Sequence, residues 1–364
     1  MDRESLRKKR RRMRRRRILK NAARISVSVV VGLLLITGVW QLLSPRMEKK
    51  GTSSGKGGVV QTVQAAAPEK EDGSGQAGVV KLTSVVPTNE TPGWQYDATG
   101  WWYATSQETY YSNGWIDIDG SEYHFNKYGY IDTGWKAIGG KGYFFDEKGV
   151  YQPDRDASMM IAMTFDDGPS SYTSELLDVL EETGAKATFF MQGCNVEQYG
   201  VDNIPRMAAL GCDIGNHSYD HPNMLESSQE SVNAQFTKTD QLIAQYNNGQ
   251  PASVVRFPYG NYNDELLQIA ARPCFMWDVD TLDWKTKDVQ SNISAVLDHV
   301  EPGDIVLMHD IYQATVESCK TIIPELISRG YELVTVRTLA AANGIELQNG
   351  QNYYNFRTQT QQEE

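Results

Sequence analysis

Between residues 159 and 336, short apolar runs rich in β-branched and aromatic side chains alternate with longer stretches whose apolar positions recur at three and four. The short runs, at 159–165, 187–191, 213–215, 253–257, 274–279, 304–308 and 331–336, read as strands. The longer stretches read as helices. Leu176, Leu177, Val179 and Leu180 mark one face over 173–182, and Ile293, Val296, Leu297 and Val300 mark another over 289–300. Strands alternating with helices predict an α/β fold, a distorted (β/α) barrel with about seven parallel strands. In such a barrel the loops beyond the C-terminal strand ends surround one mouth, so polar residues placed there read as catalytic.

The pattern changes ahead of the barrel. Gly114-Trp115 and Gly134-Trp135 lie twenty residues apart, as do Tyr123 and Tyr143, Phe125 and Phe145, and Gly129 and Gly149. Gly93-Trp94 opens a less regular first copy, and five of the eight tryptophans fall between 94 and 135. Such a unit predicts aromatic hairpins over 93–152 that must stack on their neighbours to bury a face. Residues 46–92 are rich in Gly, Ser, Thr, Lys and Ala and read as a flexible linker. Residues 346–364 read as a polar C-terminal tail.

Charge divides the chain further. Residues 1–24 carry 13 Lys or Arg against Asp2 and Glu4, a sum of +11, so the formal net charge of -11 leaves -22 on the remainder. A basic cluster alone would suit nucleic acid. Here an uncharged stretch, 25–45, follows it. Nineteen helical residues span about 28 Å, close to a bilayer's hydrocarbon core. The expectation is a transmembrane signal anchor rather than a nucleic-acid binder. The nearest small-residue stretch that would suit signal cleavage, 65–67, is some twenty residues beyond the apolar run. Positive charge before the span predicts a cytoplasmic N-terminus, single-pass attachment to the cell membrane, and an extracellular catalytic bulk. The four cysteines, Cys194, Cys212, Cys274 and Cys319, show no CxxC spacing; Cys194 and Cys212 are expected at opposite ends of the barrel, which speaks against their pairing.

Five polar segments occupy the predicted strand ends: TFDDGP at 164–169, HSYDHP at 217–222, RFPYG at 256–260, DTLDW at 280–284 and LMH at 307–309. Asp166 and Asp167 are adjacent, so an ideal strand would point them to opposite faces; Gly168-Pro169 offers the turn that brings both to the mouth. His217 and His221, with one carboxylate, make a three-ligand set that leaves positions open for water and substrate. Two histidines and a carboxylate also suit non-haem iron, so the ligand set alone leaves hydrolysis and oxygenation both open. Asp283 beside His309 would raise the imidazole's proton affinity and orient it, and Arg256 would hold Asp166. Tyr259-Gly260 would form a tight turn whose N–H faces an oxyanion, with Trp284 and Leu307 as apolar walls.

In this order the five segments resemble the motifs of the polysaccharide deacetylases with a NodB homology domain, carbohydrate esterase family 4, over about 157–343, within a catalytic domain set at 153–345. The resemblance implies Asp166 as catalytic base and His309 as general acid. It implies Asp167, His217 and His221 as ligands of one divalent metal ion, zinc first, with cobalt, nickel or manganese as alternatives. Arg256 would orient Asp166, Asp283 would tune His309, the Tyr259 N–H would receive the oxyanion, and Trp284 and Leu307 would line the acetyl pocket. Phe257 stands where the family more often has Pro. The hairpin units resemble cell-wall-binding repeats related to choline-binding repeats, which implies a wall component as their partner. The implied function is removal of N-acetyl groups from an envelope glycan, first the N-acetylglucosamine of peptidoglycan. The alternatives are another acetylated polysaccharide (an exopolysaccharide, a chitin-like chain or xylan) or a non-catalytic wall-binding surface protein.

Overall fold

The computed structural model describes residues 78–81 and 92–357. The basic segment 1–24, the anchor 25–45, most of the linker and the last residues of the tail lie outside the described residues. Among the described residues no helix is long and apolar enough to cross a membrane.

Four antiparallel strands open the described part: β1 (Gly78–Lys81), β2 (Gly93–Tyr96), β3 (Trp101–Ala104) and β4 (Thr109–Ser112), in the order β1-β4-β3-β2. Four residues of the expected linker are therefore paired, Gly78 opposite Ser112 and Lys81 opposite Thr109. Backbone pairing on a sheet edge needs no apolar pattern, so composition did not signal it. Two hairpins follow, β5 (Gly114–Ile118) with β6 (Ser121–Phe125) and β7 (Gly134–Ile138) with β8 (Lys141–Phe145). Their registers match: Gly114 faces Phe125 and Gly134 faces Phe145. Each closes on two left-handed residues, Asp119-Gly120 and Gly139-Gly140, as the twist of a two-residue hairpin requires. The Trp115 ring packs on Tyr143 and Phe145 of the next hairpin, with centroids 4.9 and 5.3 Å apart, and Trp94 packs on Tyr123 at 4.8 Å. The last hairpin has no successor and packs instead on the barrel, where Trp135 joins the cluster of Met160, Val334 and Val336.

The barrel alternates as expected: β9 (Met160–Asp166), α1 (Thr173–Thr183), β10 (Ala187–Met191), α2 (Gly193–Ala209), β11 (Asp213–Asn216), α3 (Gln229–Tyr246), β12 (Val254–Val255), α4 (Asp264–Ala270) and β13 (Cys274–Phe275). It continues through β14 (Val279–Asp280), α5 (Asp283–Thr286), α6 (Val289–Leu297), β15 (Ile305–His309), α7 (Gln313–Ser328), β16 (Glu332–Leu333), α8 (Val336–Ala342) and β17 (Asn352–Tyr353). α8 meets the last hairpin so closely that a Cβ on Gly142 would lie 2.0 Å from the Ala342 carbonyl oxygen. The sheet has nine strands rather than seven, in the order β14-β15-β9-β10-β11-β12-β13-β17, with β16 also on β9. Each pairing is parallel. The result is a curled, parallel-stranded half-barrel.

Two expectations are corrected here. The run 274–279 is not one strand: β13 and β14 stand near opposite ends of the sheet, so this single run carries the chain across the gap between them. Met276 N–H bonds to Tyr353 on one side and Asp278 N–H to Ile305 on the other. Side-chain type marks a run as extended but not which neighbour each residue pairs with. Nor is 346–364 simply a tail. β17 adds to β13, Phe356 is buried, and the Arg357 guanidinium meets the buried Asp304 at 2.5 Å. All four cysteines are free, with Cys194 just after β10 and Cys212 just before β11.

Candidate active site

Asp166 ends β9 and His309 ends β15, and the two are register partners on adjacent parallel strands. The chain then reverses at Asp167 itself, which takes a left-handed backbone with φ 70°, one residue before the expected Gly168-Pro169 turn. A non-glycine residue held there costs about 1–3 kcal/mol, which the surrounding structure must offset. Gly168 permits the close passage that follows, since a Cβ there would lie 2.2 Å from the Asp310 carboxylate.

His217 follows β11 directly, and His221 is reached through a second left-handed position, φ 62°. The Asp167 Oδ1 lies 3.6 Å from Nε2 of each histidine. The Nδ1–H of His217 donates to the Arg256 carbonyl at 2.8 Å; a carbonyl can only accept, so the ring's lone pair is left on Nε2, facing the carboxylate. Burial, and then the neighbouring His217, hold His221 below the usual imidazole range, which favours its neutral form. Asp167, His217 and His221 have ligand atoms within 4.8 Å of one another. Two ligands about 2.1 Å from a shared ion at a tetrahedral angle stand roughly 3.4 Å apart, so the donor set fits a divalent cation. Asp167→Ala is expected to lower bound metal well below one ion per chain, read by elemental analysis of the purified protein; full occupancy would refute this ligand set.

Each flanking acid–base group has its own partner. The fully buried Arg256 donates through Nη1 to Asp166 Oδ1 at 2.7 Å and to Thr164 Oγ1 at 2.8 Å. Its Nε and Nη2 donate to the carbonyls of Phe275 and Met276, both at 2.8 Å. On the other side Asp283, fully buried, accepts from His309 Nδ1 at 2.7 Å, from the His309 and Trp284 backbone N–H groups at 2.8 Å, and from Thr315 Oγ1 at 2.6 Å. Burial alone would discharge His309. The hydrogen bond and charge of Asp283, with Asp166 and Asp167 beyond, outweigh it and push the imidazole up to about 9. Tyr259 adopts φ 60°, ψ 7° within the turn Pro258–Gly260, and its exposed ring meets His221 edge-on at 4.4 Å. These residues border a pocket of about 410 Å³, which Trp284, Leu307, Phe257, Trp277, Asp280 and Tyr312 also line.

All ten residues expected at the site are thus in or directly beneath one pocket. Sequence reasoning overlooked the junction of β10 with α2, where Gln192 Nε2 donates to Asp167 Oδ1 at 2.6 Å and Asn195 Nδ2 to the Asp167 carbonyl at 2.7 Å. The signal was available, because these two polar residues also follow a predicted strand end.

The polysaccharide deacetylase family model matches residues 154–273. The chain is 37% identical over 181 residues to the peptidoglycan-N-acetylmuramic acid deacetylase PdaC of Bacillus subtilis, a match covering 50% of this chain and 38% of that protein. It is 34% identical over 187 residues to a peptidoglycan-N-acetylglucosamine deacetylase of Bacillus cereus, covering 49% of this chain and 67% of that one. The solved structure of the T48 deacetylase with substrate superposes with a TM-score of 0.52 at 37% identity, over 55% of this chain and 99% of that one. The chain belongs to the polysaccharide deacetylase family, hydrolases of acetylated polysaccharides. It spans about two fifths of the length of PdaC.

Proposed function

We propose that the barrel hydrolyses N-acetyl groups on a bacterial envelope glycan with one divalent ion, first zinc, held by Asp167, His217 and His221. The observation that carries this reading is the pairing across the three-ligand cluster: Asp166 held by Arg256 on one side, His309 held by Asp283 on the other. When bound, the ion supplies Lewis-acid polarisation of the acetyl carbonyl and favours deprotonation of the attacking water. Asp166 accepts that water's proton, and the Tyr259 N–H stabilises the charge developing on the carbonyl oxygen. His309, its proton affinity raised by Asp283, gives its proton to the sugar nitrogen as the carbon–nitrogen bond breaks, releasing acetate and a free amine. Leu307 and Trp284 border the acetyl methyl group.

The substrate we favour is peptidoglycan, and within it N-acetylglucosamine; the names of the relatives support the polymer and divide over the sugar. The apolar 25–45 segment would hold the chain in the cell membrane with the barrel outside, at the wall. The hairpins would lie against a wall component, through rings that their own packing leaves exposed, such as Tyr96 and Trp101 with centroids 5.0 Å apart. The test is acetate released by the purified full chain from N-acetylated peptidoglycan. Release that stops on chelation and returns with zinc is the expected result. No acetate from the zinc-loaded chain on peptidoglycan, chitin oligomers or acetylated xylan would overturn the catalytic reading in favour of a wall-binding protein.

A further inference from the structure

Gln192 stands just beyond β10, and its side chain connects Asp167 to Cys194, a residue that the proposed reaction does not use. Its Nε2 donates to Asp167 Oδ1 at 2.6 Å, the same oxygen that faces both histidine nitrogens at 3.6 Å. Its Oε1 accepts from the Cys194 thiol at 3.4 Å. An ionised carboxylate only accepts, so the amide turns its donor end to Asp167, and the Cys194 thiol holds the acceptor end that remains. Burial raises the Cys194 pKa, so the thiol keeps the proton it donates.

The backbone around Gln192 is tied to both ligand-bearing loops. The Gln192 N–H donates to the Gly168 carbonyl, and the Gly193 and Cys194 N–H groups donate to Ser218 and Tyr219, between the two histidines. An ionised carboxylate oxygen has two lone pairs. With one taken by Gln192, Oδ1 has one direction left to offer, and the carboxylate can no longer rotate freely about its own axis.

We propose that Gln192, its amide held at the far end by Cys194, is a positioning residue that presents a single oxygen of Asp167 to a divalent cation. The proposal rests on the three-ligand reading of the site. Outer partners of metal ligands are worth about 10- to 100-fold in affinity.

The experiment is a zinc titration of the full chain against a competing chelator, with melting curves of the zinc-free protein and the visible absorption of the cobalt-loaded protein alongside. Gln192→Met, which removes the donor at similar volume, should weaken zinc by about 10- to 100-fold and alter the cobalt spectrum while leaving the zinc-free melting temperature near wild type. Cys194→Ser keeps a donor and should restore near wild-type affinity, whereas Cys194→Ala, which frees the amide, should fall between. Wild-type zinc affinity in Gln192→Met would overturn the positioning role and leave the metal site standing. A Gln192→Met protein destabilised without zinc, with an unchanged cobalt spectrum, would make the residue structural and overturn it too. Failure of the wild-type chain to take up one zinc would overturn the metal reading and the proposal together.

Discussion

His309→Ala is expected to slow turnover by roughly 10²- to 10⁴-fold, the usual scale of a general acid, with bound metal unchanged. The leaving group of amide hydrolysis is a poor one unless its nitrogen is protonated, and His309 is the group at the mouth prepared to do so. Asp283 holds its Nδ1 and thereby leaves Nε2 for substrate. The same partner sets a pH dependence. Because the acid form is required and Asp283 raises the imidazole's proton affinity, to about 9 with no cation bound, kcat/KM should fall as pH rises along an alkaline limb no higher than that value. A bound cation, neutralising the charges of Asp166 and Asp167 that help raise it, would move this alkaline limb below 9, toward the ordinary imidazole value of about 6.5. Stability carries the same sign. A folded value above the unfolded one means that the contribution is fully present below about 6.5 and is lost as pH rises toward 9. Acetate-release rates across pH, in wild type and in His309→Ala with metal content measured in parallel, decide the matter. An alkaline limb that survives in His309→Ala would assign it to another group.

Arg256→Met is expected to cost about 3–5 kcal/mol of stability, the usual loss when one member of a buried ion pair is removed. Arg256 is fully buried, and its guanidinium donates to Asp166, Thr164 and two carbonyls. Burial pulls its pKa down, and the Asp166 charge is what opposes that. Without it Asp166 either keeps an uncompensated charge in a buried position or takes up a proton, and a protonated Asp166 cannot accept one from water. The variant should therefore lose activity as well as stability. At roughly 2–4 °C per kcal/mol for a domain of this size, the melting temperature should drop by about 6–20 °C. Adding Asp166→Asn should recover part of the stability and none of the activity, because the unpaired charge is removed but the base is too. A single Arg256→Met that melts like wild type would show that the pair contributes nothing to the fold.

Much of the site was legible because strand ends are legible. β9, β10, β11 and β15 each fall within a residue or two of the expected run, and the polar segments after or at their ends supply Asp166, Asp167, His217, His221 and His309. The run 274–279 was misread because apolar residues look alike whether they pair left, right or not at all. β17 was missed because an edge strand pays in backbone bonds rather than apolar side chains. Gln192 follows a predicted strand end as the other site residues do, but an amide there stands out less than a carboxylate or an imidazole, and its distance to Asp167 is what gives it a meaning.

By itself the sequence determined that the candidate residues come in strand-end segments, because alternating apolar runs leave few ways to place them. It also placed the acid pair, the two histidines and the Arg and Asp partners at the strand ends of one barrel. Tertiary structure decided what those residues do to one another. It turned Asp167 back toward the histidines through a left-handed backbone, which Asp adopts more readily than most residues but which is uncommon even for Asp. It buried Arg256 and Asp283 completely, so that two ordinary charges became fixed partners of Asp166 and His309. Burial and orientation depend on residues far apart in sequence, such as Thr164 and Arg256, 92 positions from each other, and such pairings exist only once the chain has closed on itself.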